Sequence, residues 1–71
     1  MRNKIRLETL SEIKEFVDIV TSVEGKVTLE SSDGFKVNAK SFLAAMCTVE
    51  WTDLWCVSDE DIYTEIKKYV L

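Results

Sequence analysis

Residues 27 to 46, "VTLESSDGFKVNAKSFLAAM", predict three consecutive elements of secondary structure. "VTLE" and "FKVNAK" alternate apolar and polar residues, which is typical of half-buried strands. Asp33-Gly34 between them is the strongest short-range signal for a β-hairpin. Ser41 belongs to the residue types that cap a helix, and the apolar run after it predicts a short helix over about residues 41 to 48. The segment therefore predicts a strand, a strand and a helix, in that order.

The same reasoning extends the order of elements to the whole chain. "NKIRLE" at residues 3–8 and "DLWCV" at residues 53–57 alternate as strands. Thr9 and Glu12 have the spacing of a capping box, and Gly25 is predicted to end the helix that follows. Ser58 is predicted to cap a last helix. The apolar stripe predicted for the first helix consists of Leu10, Ile13, Phe16, Val17, Val20 and Val23.

The resulting order, β-α-β-β-α-β-α, predicts an α+β fold in one domain over residues 1–71. Each strand has one apolar side and the helices are amphipathic. We therefore expect a four-stranded antiparallel sheet with three helices on one face, the other face being open to water.

Composition limits the classes of function. The net charge is −4 and the nine Lys and Arg residues are scattered, which argues against a nucleic-acid binder. No apolar run approaches the roughly 20 residues of a membrane span, and the start of the chain lacks the apolar region of a signal peptide. We therefore expect a cytoplasmic protein. The sequence indicates no cofactor.

Two groups of residues could suggest a metal or redox site. Cys47 and Cys56 lack the CxxC spacing of such sites, and their apolar neighbours favour a role in packing. Asp59, Glu60 and Asp61 are adjacent, so on a helix their carboxylates point apart and cannot converge on a cation. We expect these acidic residues to complement a helix N-terminus instead.

The element order, the hairpin and the helix "SFLAAM" together resemble the histidine-containing phosphocarrier protein HPr of the bacterial sugar phosphotransferase system. The similarity runs from about residue 16 to the C-terminus, and "VNAKS" with the apolar pair and methionine after it is its most specific part. The resemblance implies an open-faced β-sandwich. It also implies that Ser41 matches a serine that a kinase phosphorylates in many Gram-positive relatives. Phe42, Leu43 and Met46 match the apolar residues with which the family docks partners.

The chain departs from this family at the residue that carries phosphate. The family uses a histidine in a Gly-x-His-x-Arg-Pro type loop at the start of the first helix, and this sequence contains no histidine. Thr9 falls at about that position, but a phosphate ester on a hydroxyl is a poor phosphoryl donor, whereas histidine accepts and releases a phosphoryl group near neutral pH. No other nucleophile has an evident base beside it, so we do not expect an enzyme. The resemblance then implies a regulatory or binding module for phosphotransferase-system components or HPr kinase.

Several alternatives remain open at this point. Ser41 is either a helix cap alone or a cap that is also phosphorylated. Phe42, Leu43 and Met46 either cover the sheet or form a partner surface, and because positions 42 and 43 differ by about 100°, at least one of that pair should be exposed.

The open face of the sheet suggests a second hypothesis for the function. Trp55 and Val57 are predicted to lie there, and an exposed tryptophan beside a valine favours a covered face. A protein partner or a homodimer could cover it. The alternative function is thus a structural or interaction protein that reuses the fold, self-associates through the open sheet face and has no tie to sugar transport.

Overall fold

The computed structural model describes all 71 residues and contains a four-stranded antiparallel sheet with three α-helices. The strand order is β1-β4-β2-β3. An antiparallel sheet combined with helices confirms the predicted α+β class. Short 3-10 turns follow the second and third helices at Cys47–Glu50 and Lys67–Tyr69. The elements are β1 (Arg2–Lys4), α1 (Leu10–Thr21), β2 (Val27–Glu30), β3 (Lys36–Asn38), α2 (Phe42–Met46), β4 (Trp55–Ser58) and α3 (Tyr63–Ile66).

The hairpin between β2 and β3 forms at the predicted Asp-Gly turn. Leu29 pairs with Val37 across the hairpin, and the Ser31 N–H donates to the Phe35 carbonyl at 3.0 Å. Gly34 closes the turn with a φ of +96°, a region that residues with a Cβ rarely adopt. The glycine is therefore required by the backbone of this turn.

Helix α1 begins at the predicted capping box. The Thr9 hydroxyl accepts from the Glu12 N–H at 3.1 Å, and the Glu12 carboxylate accepts from the Thr9 N–H at 3.3 Å. The predicted stripe is confirmed at its centre but is wrong at Leu10, which is 56% exposed, so the buried stripe begins one turn later. Its buried members are Ile13, Phe16, Val17 and Val20.

The end of α1 differs from the predicted glycine stop. The helix ends at Thr21, and Gly25, with a φ of +83°, lies in the turn to β2. The Thr21 hydroxyl donates to the Val17 carbonyl at 2.6 Å, and the Ser22 hydroxyl donates to the Ile19 carbonyl at 2.8 Å. These hydroxyl bonds add to backbone bonds at the helix end, where the Ser22 N–H donates to the Ile19 carbonyl and the Val23 N–H donates to the Val20 carbonyl, so the helix ends without a glycine cap.

Ser58 does not cap the last helix, and that prediction is wrong. Ser58 is the final residue of β4, pairs with Val27 and donates its N–H to the Met1 carbonyl at 2.9 Å. Because its backbone belongs to the sheet, α3 begins only at Tyr63, whose N–H donates to the Asp61 carboxylate at 3.1 Å. The acidic residues 59–61 accordingly lie in the connecting loop.

The core lies between the helices and one face of the sheet. Phe16 of α1 meets Tyr69 edge to face, with the ring centroids 5.7 Å apart, so α1 is packed against the C-terminal segment. No helix has the length and apolar character needed to cross a membrane. The buried apolar residues are Ile5, Leu7, Ile13, Phe16, Val17, Val20, Val27, Leu29, Ala39, Ala45, Leu54, Cys56, Ile62, Ile66 and Tyr69.

Candidate functional site

The start of α1 is where the resemblance would require a phosphate-carrying residue. The Glu12 carboxylate accepts from the backbone N–H groups of both Glu8 and Thr9, at 2.8 and 3.3 Å. The Thr9 hydroxyl in turn accepts from the Glu12 backbone. Both side chains are therefore engaged in holding the helix start, a role that their spacing alone predicts.

Helix α2 presents its large apolar side chains to solvent. Phe42 is 37% exposed and Leu43 is 77% exposed, whereas Ala45 is the residue of this helix that is fully buried. Met46 is half-buried. A five-residue helix offers one narrow face to the core, and alanine at that face lets the helix approach closely. The expectation that at least one of Phe42 and Leu43 is exposed is met most clearly by Leu43. These two residues with Ser41 and Met46 form what we call the α2 surface.

Ser41 caps α2. Its hydroxyl accepts from the Ala44 N–H at 3.2 Å, and its φ and ψ of −104° and 114° are the extended values usual for a cap. The side chain is partly exposed and directly precedes Phe42 in the sequence. The cap hypothesis is confirmed, and the hydroxyl lies beside the exposed part of the α2 surface.

Trp55 lies on the open face of the sheet, as predicted from its alternation with buried Leu54 and Cys56. The guanidinium of Arg2 stands 4.7 Å from the centre of its ring, and the ammonium of Lys4 stands 5.9 Å away. These are cation–π distances. The indole N–H donates to the Asp53 carboxylate at 3.1 Å. Neighbours within the chain therefore already partner the ring and the N–H of Trp55.

Asp53 links the start of β4 to the hairpin. Its carboxylate accepts from the Ser32 backbone N–H at 3.1 Å as well as from Trp55. The Ser32 hydrogen bonds, and to a lesser extent the one from Trp55, hold the pKa of the Asp53 carboxyl below its ordinary value. Asp53 is thus ionised near neutral pH and fixes the orientation of the indole.

The two cysteines differ in environment and form no disulfide. Cys56 is fully buried under the helices, and burial raises the pKa of its thiol to about 11. Cys47 is exposed at the end of α2. No group of three or more cysteine, aspartate or glutamate side chains is placed so that it could hold a metal ion. The packing role predicted for both cysteines is thus met by Cys56 and not by Cys47.

Two features of the surface were not predicted from the sequence. Phe35 and Trp51 stack with ring centroids 5.9 Å apart, at the end of the sheet that holds the hairpin turn. At the other end, where β2 begins and β3 ends, three lysines are among the residues that line a groove of about 410 Å³. Both depend on contacts between distant segments, which single-strand patterns do not report. We name the second feature the lysine groove; Gly25, Lys26, Val27, Thr28, Lys36, Val37, Asn38 and Lys40 line it.

These observations define the chain as a small α+β domain with one open sheet face and an exposed apolar helix. No family model, no curated protein and no solved structure shows a significant match to it. The surfaces described above and the sequence resemblance are therefore what bears on its function.

Proposed function

We propose that this chain is a non-catalytic binding module of the HPr-like type, which works in the bacterial cytoplasm and docks protein partners through the α2 surface. The observation that carries the proposal is the exposure of Phe42 and Leu43, at 37% and 77%, on a helix that buries only Ala45. Large apolar side chains in such positions cost solubility and are typical of binding anchors.

The architecture supports the HPr-like part of the proposal. The element order and the four-stranded antiparallel sheet with one open face agree with what the sequence resemblance implies. In the resemblance the partner-docking residues follow the second helix start, which is where Phe42 and Leu43 are exposed here. The partners we propose are components of the sugar phosphotransferase system, or the kinase that phosphorylates HPr.

The absence of histidine gives the module its non-catalytic character. The chain has no imidazole to accept and pass on a phosphoryl group, and the residues at the start of α1 are engaged in a capping box. A partner that binds this chain would therefore receive no phosphate from it. We propose that the module regulates partners by occupying their docking sites.

Phosphorylation of Ser41 would provide a means of control. A phosphate adds nearly two negative charges, here directly before Phe42 and Leu43. At a helix N-terminus the phosphate can accept the hydrogen bond that the Ala44 N–H now donates to the Ser41 hydroxyl. The fold would therefore tolerate the modification. The new charge would change which partners can approach the α2 surface.

The alternative function, self-association through the open sheet face, has less support. Arg2, Lys4 and Lys36 are exposed on the strands of that face, and the carboxylate among them, Glu30, pairs with Arg2 at 3.0 Å. A symmetric dimer would bring two sets of these cations together at the cost of repulsion. Trp55 is moreover already in contact with Arg2.

A pull-down with the histidine-phosphorylating enzyme of the phosphotransferase system, and with HPr kinase, tests the proposal. The variants are Leu43→Asp and the matched control Leu10→Asp, since both leucines are exposed and Leu10 lies on α1. We expect wild type and Leu10→Asp to be captured by at least one bait and Leu43→Asp by neither. Failure of both baits to capture wild type contradicts the HPr-like function.

The kinase arm tests Ser41 separately. Incubation with HPr kinase and ATP should place phosphate on wild type and none on Ser41→Ala. If conditions that label an authentic HPr leave Ser41 unmodified, the phosphorylation proposal is rejected, while docking by the α2 surface is judged by the pull-down alone.

A further inference from the structure

The lysine groove concentrates positive charge in a chain whose net charge is −4. Lys26, Lys36 and Lys40 line it, and its lining includes no carboxylate. None of these three ammonium groups takes part in a salt bridge. The groove therefore holds three cationic donors without an ionic partner of their own.

Two carboxylates beside the groove have hydrogen-bond partners other than its lysine ammonium groups. Glu30, which faces Lys36 in the strand register, pairs with Arg2 at 3.0 Å. The Asp59 carboxylate accepts from the Lys26 backbone N–H at 3.0 Å and lies against Gly25. These contacts leave the ammonium groups of Lys26 and Lys36 free to meet an anion.

The remaining polar groups also favour an anionic ligand. The Asn38 side-chain oxygen accepts from the Lys40 backbone N–H at 2.9 Å, so the free end of this amide is its NH2 group. Lys40 donates one ammonium hydrogen to the Val23 carbonyl, which leaves two further donors. The groove is thus rich in donors, and an oxyanion offers only acceptors.

We propose that the lysine groove binds the phosphate groups of a small phosphorylated molecule through Lys26, Lys36, Lys40 and the Asn38 amide. Its volume of about 410 Å³ falls in the range of small-molecule sites. Lysine ammonium groups bind phosphate as point charges. This inference is independent of partner docking by α2.

A long polyanion fits the observations less well. A nucleic-acid strand crossing the open face would use its cations in a row, with Trp55 as a stacking platform. Arg2 is instead held by Glu30 and lies over Trp55, so that part of the face is already occupied. The lysine groove has three lysines in its lining that take part in no salt bridge.

Titration of the ¹⁵N-labelled full chain with inorganic pyrophosphate, at fixed ionic strength, tests the proposal. We expect saturable shifts of the backbone amide signals of Thr28, Val37 and Asn38. Lys26→Gln combined with Lys36→Gln should weaken binding about tenfold or more, because charge-assisted hydrogen bonds are lost. Lys40 is kept, since its contact with Val23 also supports the fold.

The matched control is Lys14→Gln combined with Lys67→Gln, which removes the same charge from exposed helical positions. It should leave the affinity for pyrophosphate within about twofold of wild type. Equal weakening by the two double variants, or shifts that never saturate, would show only a diffuse charge effect and overturn the site.

Two further probes determine the class of ligand. Citrate brings three carboxylates of similar charge, and if it binds the same residues as tightly as pyrophosphate, the assignment to phosphate is wrong. A short single-stranded oligonucleotide that binds more tightly than pyrophosphate and shifts the Trp55 indole signal would overturn the proposal in favour of a nucleic-acid face.

Discussion

Helices α1 and α2 both begin at a hydroxyl cap, yet they relate to the core in opposite ways. α1 has twelve residues and buries Ile13, Phe16, Val17 and Val20. α2 has five residues and buries Ala45, while Phe42 and Leu43 are exposed. Most apolar residues of α1 thus lie in the core, whereas in α2 Leu43 is mostly exposed and Phe42 partly so. The contrast separates a helix that builds the core from one that leaves a large apolar side chain at the surface.

The largest expected effect is at the centre of α1. Phe16 is fully buried, and Phe16→Ala should lower the free energy of unfolding by about 3–5 kcal/mol, because a cavity replaces the ring and its contact with Tyr69. The total stability of a domain of this size is about 4–11 kcal/mol, so we expect the variant to lose a large part of its stability. Urea denaturation measures the change.

The control for Phe16→Ala is Leu10→Ala on the same helix, where the side chain is 56% exposed. It should change stability by no more than about 0.5 kcal/mol. Equal losses from the two substitutions would mean that the buried stripe of α1 does not carry the fold.

The cysteines extend the same contrast between core and surface. Cys47 follows α2 and is exposed, whereas Cys56 is buried with a thiol pKa of about 11. A shift from the ordinary value of 9.0 lowers the thiolate fraction at neutral pH about a hundredfold. A thiol reagent should therefore modify Cys47 rapidly and Cys56 only after unfolding.

Mass spectrometry of the labelled chain, native and in denaturant, checks this difference. Cys47→Ser should abolish the fast phase, and Cys56→Ser should leave it unchanged. Rapid native labelling of Cys56 would place this thiol outside the core.

The capping box of α1 should give the next largest effect. Thr9→Ala removes the acceptor for the Glu12 N–H and should lower the free energy of unfolding by about 1 kcal/mol. Thr9→Asp keeps an acceptor at the cap and should retain most of the stability, which chemical denaturation of both variants can show. A neutral Thr9→Ala would mean that the reciprocal contact of Glu12 suffices by itself.

Acid should weaken the tie between α1 and the C-terminal segment. Glu15 accepts hydrogen bonds from Lys68 and Tyr69, and these hold the pKa of its carboxyl below the ordinary value of 4.5. A carboxyl whose pKa is lower in the folded state than in the unfolded state stabilises the fold at pH values above its unfolded pKa. This stabilisation is lost as the pH falls through the pKa of the folded state. Stability should therefore fall below about pH 4.5.

Tyr69 determines how stability changes at the alkaline end of the pH range. Burial, with a further contribution from Glu15, raises the pKa of its hydroxyl, so its contribution is present below about pH 10 and is lost as the pH rises through the folded value. The measurement is the urea midpoint of unfolding as a function of pH. In Glu15→Gln the midpoint should decrease less between neutral and acidic pH than it does in wild type. If the loss of stability at acidic pH is the same in this variant as in wild type, other carboxylates cause it.

The sequence predicted the fold well because local signals and burial agreed along most of the chain. Asp33-Gly34 and the Thr9–Glu12 box act over a few residues, and both are found as predicted. The helix cap predicted at Ser58 is wrong because a cap is predicted from neighbouring residues alone, whereas Ser58 pairs with Val27 of a strand that is distant in the sequence. Long-range pairing decided that position.

The candidate sites were predicted less completely. Residue type identified Ser41 as a cap, and the alternation of residues 54–57 placed Trp55 on the open face. Periodicity could not tell whether Phe42 and Leu43 lie inside or outside, because a helix of one and a half turns has too few residues to define a stripe. The lysine groove joins residues of β2 with residues that follow in and after β3, and no spacing rule predicts such a cavity.

The smallest expected effect on stability is at Leu43, and it should accompany the largest effect on binding. Leu43 is 77% exposed, so Leu43→Ala should change the free energy of unfolding by no more than about 0.5 kcal/mol. An anchor truncated in an interface commonly costs 2 kcal/mol or more, roughly a 30-fold loss of affinity. Calorimetric titration of the captured partner, together with urea denaturation, measures both quantities. A stability loss near that of Phe16→Ala would mean that Leu43 packs in the core, and the contrast between α1 and α2 would no longer hold. Unchanged stability together with weakened binding would mean that this side chain contacts the partner.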